Sequence, residues 1–132
     1  MKIIYIILVS LVLLGVVGSC KNKTGSVKAQ FANSKIELGR LTEGEKKKGF
    51  VILKNIGNSD LVVKDVASGC VCTQLVIDKK TIKPGSEAKI SYSLTVGHFD
   101  SSGTLDVPII VRSNDKDVFS EVYLKCTASK RG

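Results

Sequence analysis

Residues 87–96 read Glu87-Ala88-Lys89-Ile90-Ser91-Tyr92-Ser93-Leu94-Thr95-Val96, and this stretch decides the fold class. Apolar side chains occupy every second position, and charged or hydroxyl-bearing side chains occupy the positions between them. Successive side chains of a β-strand point to opposite faces of the sheet, so the alternation predicts a strand with one face in a core and the other in solvent. The turn at 81–85 contains Pro84 and Gly85 and predicts where this strand begins.

Short apolar segments separated by turn residues lie on both sides of this strand. They cover 36–38, 50–54, 61–63, 105–111 and 119–126, and Gly, Asn, Asp or Ser residues interrupt the chain between them. After the first twenty residues no stretch shows the periodicity of an amphipathic helix. Many short strands with turn residues between them are typical of an all-β sandwich.

The same alternation predicts which side chains form the core. We expect the following to be buried: Ile90, Tyr92, Leu94, Leu105, Val107, Ile109, Val122 and Leu124. Cys126 shares a face with the last two of these, so we expect it to point inward, where a free cysteine behaves as a small apolar residue.

The N-terminus predicts export and lipid attachment. Lys2 is followed by an uncharged run rich in Ile, Leu and Val, which is short for a membrane-spanning helix and typical of a signal peptide. The run ends in Val17-Gly18-Ser19-Cys20, which resembles the cleavage motif of bacterial lipoproteins, where the cysteine is acylated, for example with palmitate. The alternative is an ordinary signal peptide or short anchor with an incidental cysteine.

We therefore expect a signal peptide at residues 1–19, lipidated Cys20 with a flexible tether over 20–30, and one domain over 31–132. Two or more acyl chains would anchor the protein stably in a bacterial membrane. Some Gram-negative lipoproteins carry acidic residues directly after the lipidated cysteine as a signal for export to the cell surface. Here the residues are Lys21, Asn22 and Lys23, which favours the periplasmic face of a Gram-negative cell envelope. Disulfides persist in that compartment.

The segment Ser68-Gly69-Cys70-Val71-Cys72-Thr73 concentrates two of the four cysteines. If it were extended, both sulfurs would lie on one face, which permits a local disulfide, a two-thiolate metal site or two small buried residues. A bridge between Cys70 and Cys72 needs a bent backbone. A bridge from either one to Cys126 would close a loop of about 55 residues, and we expect Cys126 to lie within disulfide or van der Waals reach of the pair. A metal site would use Cys70 and Cys72, with Cys126 and His98 as further candidate ligands, a set that suits Zn²⁺ or Cu⁺.

The order of several short motifs resembles the bacterial family DUF1573. They are Phe50-Val51-Ile52-Leu53-Lys54-Asn55-Ile56-Gly57-Asn58, Leu61-Val62-Val63, Gly69-Cys70-Val71-Cys72-Thr73 and Ile82-Lys83-Pro84-Gly85-Ser86. The resemblance covers roughly residues 36–127. The chain departs from the family pattern at Val71, where the family usually has glycine. It also departs at Cys126, which lies at a position where the family pattern has no cysteine. The resemblance implies an immunoglobulin-like sandwich of a secreted or lipid-anchored protein, and it implies no activity.

The composition argues against several functional classes. The chain has one histidine, no nucleophile-and-base motif and no glycine-rich phosphate loop, so we expect neither an enzyme nor a cofactor. The net charge of +8 is spread over most strands and turns and aromatic residues make up 5%, so we expect no nucleic-acid binding. The favoured hypothesis is a non-catalytic interaction module that binds an envelope protein or glycan. The alternative is a thiol-dependent metal-binding or redox protein that uses Cys70 and Cys72.

Overall fold

A computed structural model describes residues 25–97 and 103–130, and in these residues the chain forms nine β-strands and no helix. The strands are β1 (Ala29–Phe31), β2 (Lys35–Thr42), β3 (Lys46–Asn55), β4 (Leu61–Ser68), β5 (Thr73–Ile77), β6 (Thr81–Ile82), β7 (Glu87–Thr95), β8 (Gly103–Ser113) and β9 (Phe119–Ser129).

The strands form two sheets that pack face to face. The first sheet has the order β1-β3-β7-β5 and the second the order β2-β9-β8-β4-β6. Neighbouring strands are antiparallel except for β2 and β9, which run parallel. The expectation of an all-β, two-sheet sandwich is confirmed.

Strand β7 lies at the centre of the first sheet, between β3 and β5. Its even-numbered side chains are buried and its odd-numbered side chains face outward, as the alternation predicted. From the predicted core, all side chains are buried except Leu105, which is partly buried. Cys126 is also buried, beside Leu105 of the neighbouring strand.

Two glycines with positive φ shape the strands in different ways. Gly85 has a φ of 77° and follows Pro84 in the turn before β7, as expected. Gly39 also has a φ of 77°, and it lies where the pairing of β2 with β9 shifts register. The sequence indicated a strand that ends at Gly39. Because glycine adopts this conformation without a steric penalty, the strand instead continues through a bulge to Thr42.

Asn55, at the end of β3, connects three segments of backbone. Its side-chain amide donates to the carbonyl oxygens of Ser59, at 2.7 Å, and Ile82, at 2.8 Å. Its carboxamide oxygen accepts a hydrogen bond from Gly57 N–H at 3.0 Å. The residue is 1% exposed, so these bonds satisfy a buried polar side chain and fix the turn between β3 and β4 against β6.

The folded domain begins earlier than the sequence indicated. Lys28 O accepts a hydrogen bond from Ile56 N–H, and Ala29 N–H donates to the buried Asp115 carboxylate at 2.8 Å. Three residues that the sequence placed in the tether therefore belong to the folded domain: Ala29 and Gln30 lie in β1, and Lys28 is hydrogen-bonded to Ile56. Residues 21–30 are mostly polar and show no periodicity, but backbone pairing does not require an apolar side-chain pattern.

The two ends of the sandwich carry different loops. The N-terminal segment enters at the end that holds the turns at 56–60 and 114–118. The turns at 43–45 and 69–72 and the end of β9 lie at the opposite end, about 30 Å away for a strand of nine residues.

The predicted signal peptide and the predicted lipidation site Cys20 lie outside the described residues, as does His98. In the described part of the chain, no helix is long and apolar enough to cross a membrane.

Candidate functional site: a disulfide turn beside an open strand edge

Residues 69–72 form a tight turn that connects β4 in the second sheet to β5 in the first. Gly69 N–H donates to Pro108 O at 3.0 Å, and Thr73 N–H donates to Cys70 O at 3.2 Å. A Cβ atom on Gly69 would come within 2.6 Å of the Pro108 side chain, so only glycine fits at this close approach. The backbone is therefore bent where the sequence analysis considered an extended segment.

The bent turn joins Cys70 and Cys72 in a disulfide, with their Cα atoms 5.1 Å apart. That separation lies in the usual range for bridged cysteines. Cys126 is free and buried, so the structure contains no bridge from the cysteine pair to the last strand. Of the two bridges that the sequence left open, the local one is present, because the turn brings the two nearby cysteines together and leaves no thiol for Cys126. Van der Waals reach between Cys126 and the pair stays a prediction.

Each sulfur of the disulfide has a polar neighbour in the turn. Cys70 Sγ accepts a hydrogen bond from Cys72 N–H at 3.2 Å. Cys72 Sγ lies 3.7 Å from the hydroxyl oxygen of Thr73. Val71, between the two cysteines, is fully exposed to solvent. The pair therefore lies at a surface, with the shorter hydrogen bond directed at Cys70.

Two surface cavities meet at this turn. One, of about 200 Å³, is lined by Lys46, Gln74 and Cys72 among others. The second, of about 310 Å³, is lined by both cysteines and by apolar side chains that include Leu94 and Leu105. Cys72 thus borders both cavities, while Cys70 borders only the second.

Cys126 lies deeper in the same end of the sandwich. It is 3% exposed, and burial together with the nearby negative charge of Asp106 raises the pKa of its thiol. Desolvation disfavours the thiolate, which is the reactive form of cysteine. Cys126 therefore behaves as a core residue.

Strand β5 follows the disulfide directly and forms an edge of the first sheet. In the described residues it pairs only with β7. Thr95 N–H donates to Cys72 O, and Asp78 N–H donates to Lys89 O. The backbone N–H and C=O groups of the even-numbered residues in this segment therefore point towards β7. Because donors and acceptors alternate along an antiparallel strand, the backbone groups of Leu75 and Ile77 point to the open side.

The outer face of the first sheet carries an apolar row next to this edge. Phe50, Ser91 and Val76 lie side by side on β3, β7 and β5. Phe50 is 53% exposed and Val76 is 68% exposed, and together they border a shallow cavity of about 450 Å³. Lys89 Nζ lies 4.6 Å from the centroid of the Phe50 ring, which is a cation–π distance.

The metal hypothesis lacks a described set of ligands. Among residues 25–97 and 103–130, no group of three or more His, Cys, Asp or Glu side chains is placed to hold a metal ion. Thiolates bind Zn²⁺ and Cu⁺, and a disulfide offers none, so Cys70 and Cys72 could act as ligands only after reduction.

Strand β5 and its open edge were not predicted from the sequence. The signal was present, because Thr73-Gln74-Leu75-Val76-Ile77 is rich in β-branched residues and is bounded by turns. Which side of the strand stays unpaired depends on the order of the strands in the sheet, which a single sequence does not reveal.

The strands, their order and the turn define an all-β, two-sheet domain with a disulfide at one end. The family described as "Protein of unknown function (DUF1573)" matches residues 29–128, and the chain belongs to this family. The resemblance noted from the motifs is confirmed. A search of curated proteins gave no match.

Several solved structures share the fold. A protein of unknown function from Porphyromonas gingivalis W83 has a TM-score of 0.61 at 18% identity, over 78% of this chain and 46% of that chain. The secreted serine protease VesC from Vibrio cholerae has a TM-score of 0.57 at 16% identity, over 78% of this chain and 23% of that chain. The ASH/PapD-like domain 7 of human CEP192 has a TM-score of 0.58 at 13% identity, over 81% of this chain and 89% of that chain.

At these identities the likeness shows the fold alone. The chain spans less than half the length of the Porphyromonas and Vibrio proteins, so the fold occurs there as part of a longer chain.

Proposed function

We propose that this chain is a non-catalytic interaction module of the bacterial cell envelope, with an immunoglobulin-like fold and a lipid on Cys20. In this proposal it faces the periplasm of a Gram-negative bacterium and binds an extended segment of another envelope protein along β5. The observation that carries the proposal is the open, uncharged edge of β5.

The four sheet edges differ in a way that supports this choice. Strands β1 and β6 are only three and two residues long, and β2 carries a bulge and charged side chains. Natural proteins use such features to prevent further strand pairing. Strand β5 has no charged residue, no proline and no bulge. An added strand would satisfy the backbone groups of Leu75 and Ile77 and extend the sheet.

Side chains next to the edge indicate the chemistry of the partner. Val76 offers direct apolar contact to side chains of an added segment, and Phe50, two strands further into the sheet, extends this apolar surface for a long side chain that crosses Ser91. Lys48 lines the same cavity, and Lys89 lies over the Phe50 ring. A segment with acidic side chains beside apolar ones fits this surface, since opposite charges favour encounter and fix the register.

The position of the N-terminal segment supports an orientation in which the start of β5 points away from the membrane. Gly25 enters at the end of the sandwich opposite the turn at 69–72. The five Cα–Cα steps from Cys20 to Gly25 can span at most about 17 Å. An anchor at Cys20 would therefore hold the entry end near the membrane and leave the disulfide turn and the start of β5 at the distal end.

Site-specific photo-crosslinking in cells that make the full chain tests the proposal. A photoreactive residue at Gln74, on the outer face of β5, should give an adduct with one envelope protein. Val76→Lys should abolish that adduct, because a lysine on an edge strand disfavours pairing. Phe119→Lys is the matched control, since Phe119 is 64% exposed on the second sheet, and it should leave the adduct unchanged.

Equal loss of the adduct in both variants would contradict binding along β5. A second copy of this chain as the crosslinked partner would contradict a distinct envelope partner and show self-association instead.

The thiol-dependent alternative from the sequence analysis has its own supporting observation. The disulfide lies at the surface, and Cys72 borders two cavities.

A further inference from the structure

The Cys70–Cys72 disulfide has features that a purely structural bridge does not need. We propose that it is a site of thiol–disulfide exchange, where the thiolate of another envelope protein attacks Cys72 and Cys70 leaves as a thiolate. The proposal goes beyond the binding role, and it rests on the proposed function only for the oxidising compartment.

The bridge constrains the fold very little. The stabilisation that a disulfide provides grows with the length of the loop it closes, and this loop contains a single residue between the two cysteines. The strand ladders do not include either cysteine, and both side chains pack only against the margin of the buried core. The pair can therefore be reduced and reoxidised while both sheets stay intact.

Hydrogen bonds make the two sulfurs unequal. Cys70 Sγ accepts the N–H of Cys72 at 3.2 Å, whereas Cys72 Sγ has the Thr73 hydroxyl at 3.7 Å. A hydrogen bond donated to sulfur stabilises negative charge on it. The sulfur with the closer donor is the better leaving group, so cleavage is expected to release Cys70 and leave the incoming thiol on Cys72.

The surroundings favour approach to Cys72 from one side. Lys46 lines the cavity that Cys72 borders and Cys70 does not. Its positive charge attracts an incoming thiolate. The cavity that both cysteines border has no lysine in its lining and is bordered by Asp106, whose charge is partly offset by a salt bridge to Lys125 at 3.8 Å, so it offers an incoming anion no comparable attraction. The attacking group therefore reaches Cys72 past Lys46.

The exchange balances with thiols as the only reductant. In the first step a new sulfur–sulfur bond forms between the incoming thiolate and Cys72, the Cys70–Cys72 bond breaks, and Cys70 takes the electron pair. In the second step another thiolate attacks the sulfur of the bound thiol, forms a disulfide with it and releases Cys72. Two thiols lose two electrons and two protons, and Cys70 and Cys72 gain them.

The first experiment asks whether the pair is reduced in the folded protein. The purified full chain with Cys126→Ala is equilibrated in buffers of reduced and oxidised glutathione, quenched with acid and treated with a mass-adding maleimide. Two additional labels should appear while the tyrosine fluorescence and the melting temperature stay close to those of the oxidised chain. Label that appears only where the chain unfolds would overturn the proposal.

The second experiment locates the attacked sulfur. Brief exposure to reduced glutathione, followed by alkylation and peptide mass spectrometry, should find glutathione on Cys72 and the alkyl group on Cys70. The reverse distribution would refute attack at Cys72.

The third experiment tests the path past Lys46. At low salt, Lys46→Ala should slow reduction by glutathione, which is anionic, about threefold, and should not slow reduction by the cationic thiol cysteamine. Lys47→Ala is the matched control, because the neighbouring side chain faces the other side of β3, and it should have no effect. Equal slowing by both substitutions would contradict this path. None of these measurements needs the β5 partner, so they can fail or succeed independently of the proposed function.

Discussion

Replacing Asn55 with alanine removes three hydrogen bonds from a buried site. The amide donates to Ser59 O and Ile82 O, and the carboxamide oxygen accepts from Gly57 N–H. A buried hydrogen bond contributes about 0.5–1.5 kcal/mol net, and loss of one partner leaves the other unsatisfied. The free energy of unfolding should fall by about 3 kcal/mol, a large part of the stability of an ordinary domain.

Denaturant unfolding, followed by tyrosine fluorescence or circular dichroism, measures this change. For a domain of this size, 3 kcal/mol corresponds to a fall in melting temperature of about 12–24 °C. The matched control is Asn33→Ala, since Asn33 is exposed, and it should change the free energy of unfolding by less than about 0.5 kcal/mol.

Asn55→Asp separates hydrogen bonding from packing, because it keeps the volume and replaces the donor with a carboxyl group. A carboxylate that faces two carbonyl oxygens in a buried site is disfavoured, so the folded chain would hold the proton more tightly than the unfolded chain. The variant should then be most stable below about pH 4 and lose stability as the pH rises. A loss below about 1 kcal/mol for Asn55→Ala, or no pH dependence for Asn55→Asp, would refute the assigned role of these bonds.

Three further predictions concern separate parts of the chain. Leu94→Ala should lower the free energy of unfolding by about 2–5 kcal/mol because Leu94 is 1% exposed, and Leu105→Ala should cost less because that side chain is only partly buried; denaturant titration compares them. Cys20→Ala should leave an unprocessed precursor that takes up no labelled fatty acid, and equal labelling of the wild type and the variant would contradict lipidation. Cys126, whose thiol pKa is raised by burial, should resist alkylation at pH 8–9 in the folded chain and react after denaturation; since the folded chain keeps this proton to higher pH, deprotonation favours unfolding.

The side-chain pattern predicted the parts of the fold that depend on it. Alternation over Glu87–Thr95 identified the buried face of β7, and Pro84 with Gly85 identified the turn before it. The inward position of Cys126 followed from its neighbours on β9. These predictions succeeded because burial of one face enforces a period of two.

Features that depend on backbone pairing over long distances were not predictable. The parallel pairing of β2 with β9 and the inclusion of Ala29–Phe31 in the first sheet leave little trace in the side-chain pattern. The pairing partner of Cys70 depended on whether the backbone bends at Gly69, and the close contact of Gly69 with Pro108 involves residues far apart in sequence. The sequence therefore identified Cys70 and Cys72 as site residues, but it did not predict the bend of the backbone or which cysteines are bridged.

The parallel pairing of β2 also constrains the order of folding. In the described chain β2 is bonded only to β9, and Lys35 is matched with Tyr123 near the other end of the sequence. A chain that emerges with its N-terminus first cannot complete the second sheet until β9 has appeared. The entropy of closing so long a loop makes such non-local pairing slow. Strand β2 therefore stays exposed longer than β3 or β4, and a folding helper that recognises unpaired strands would find it at this stage.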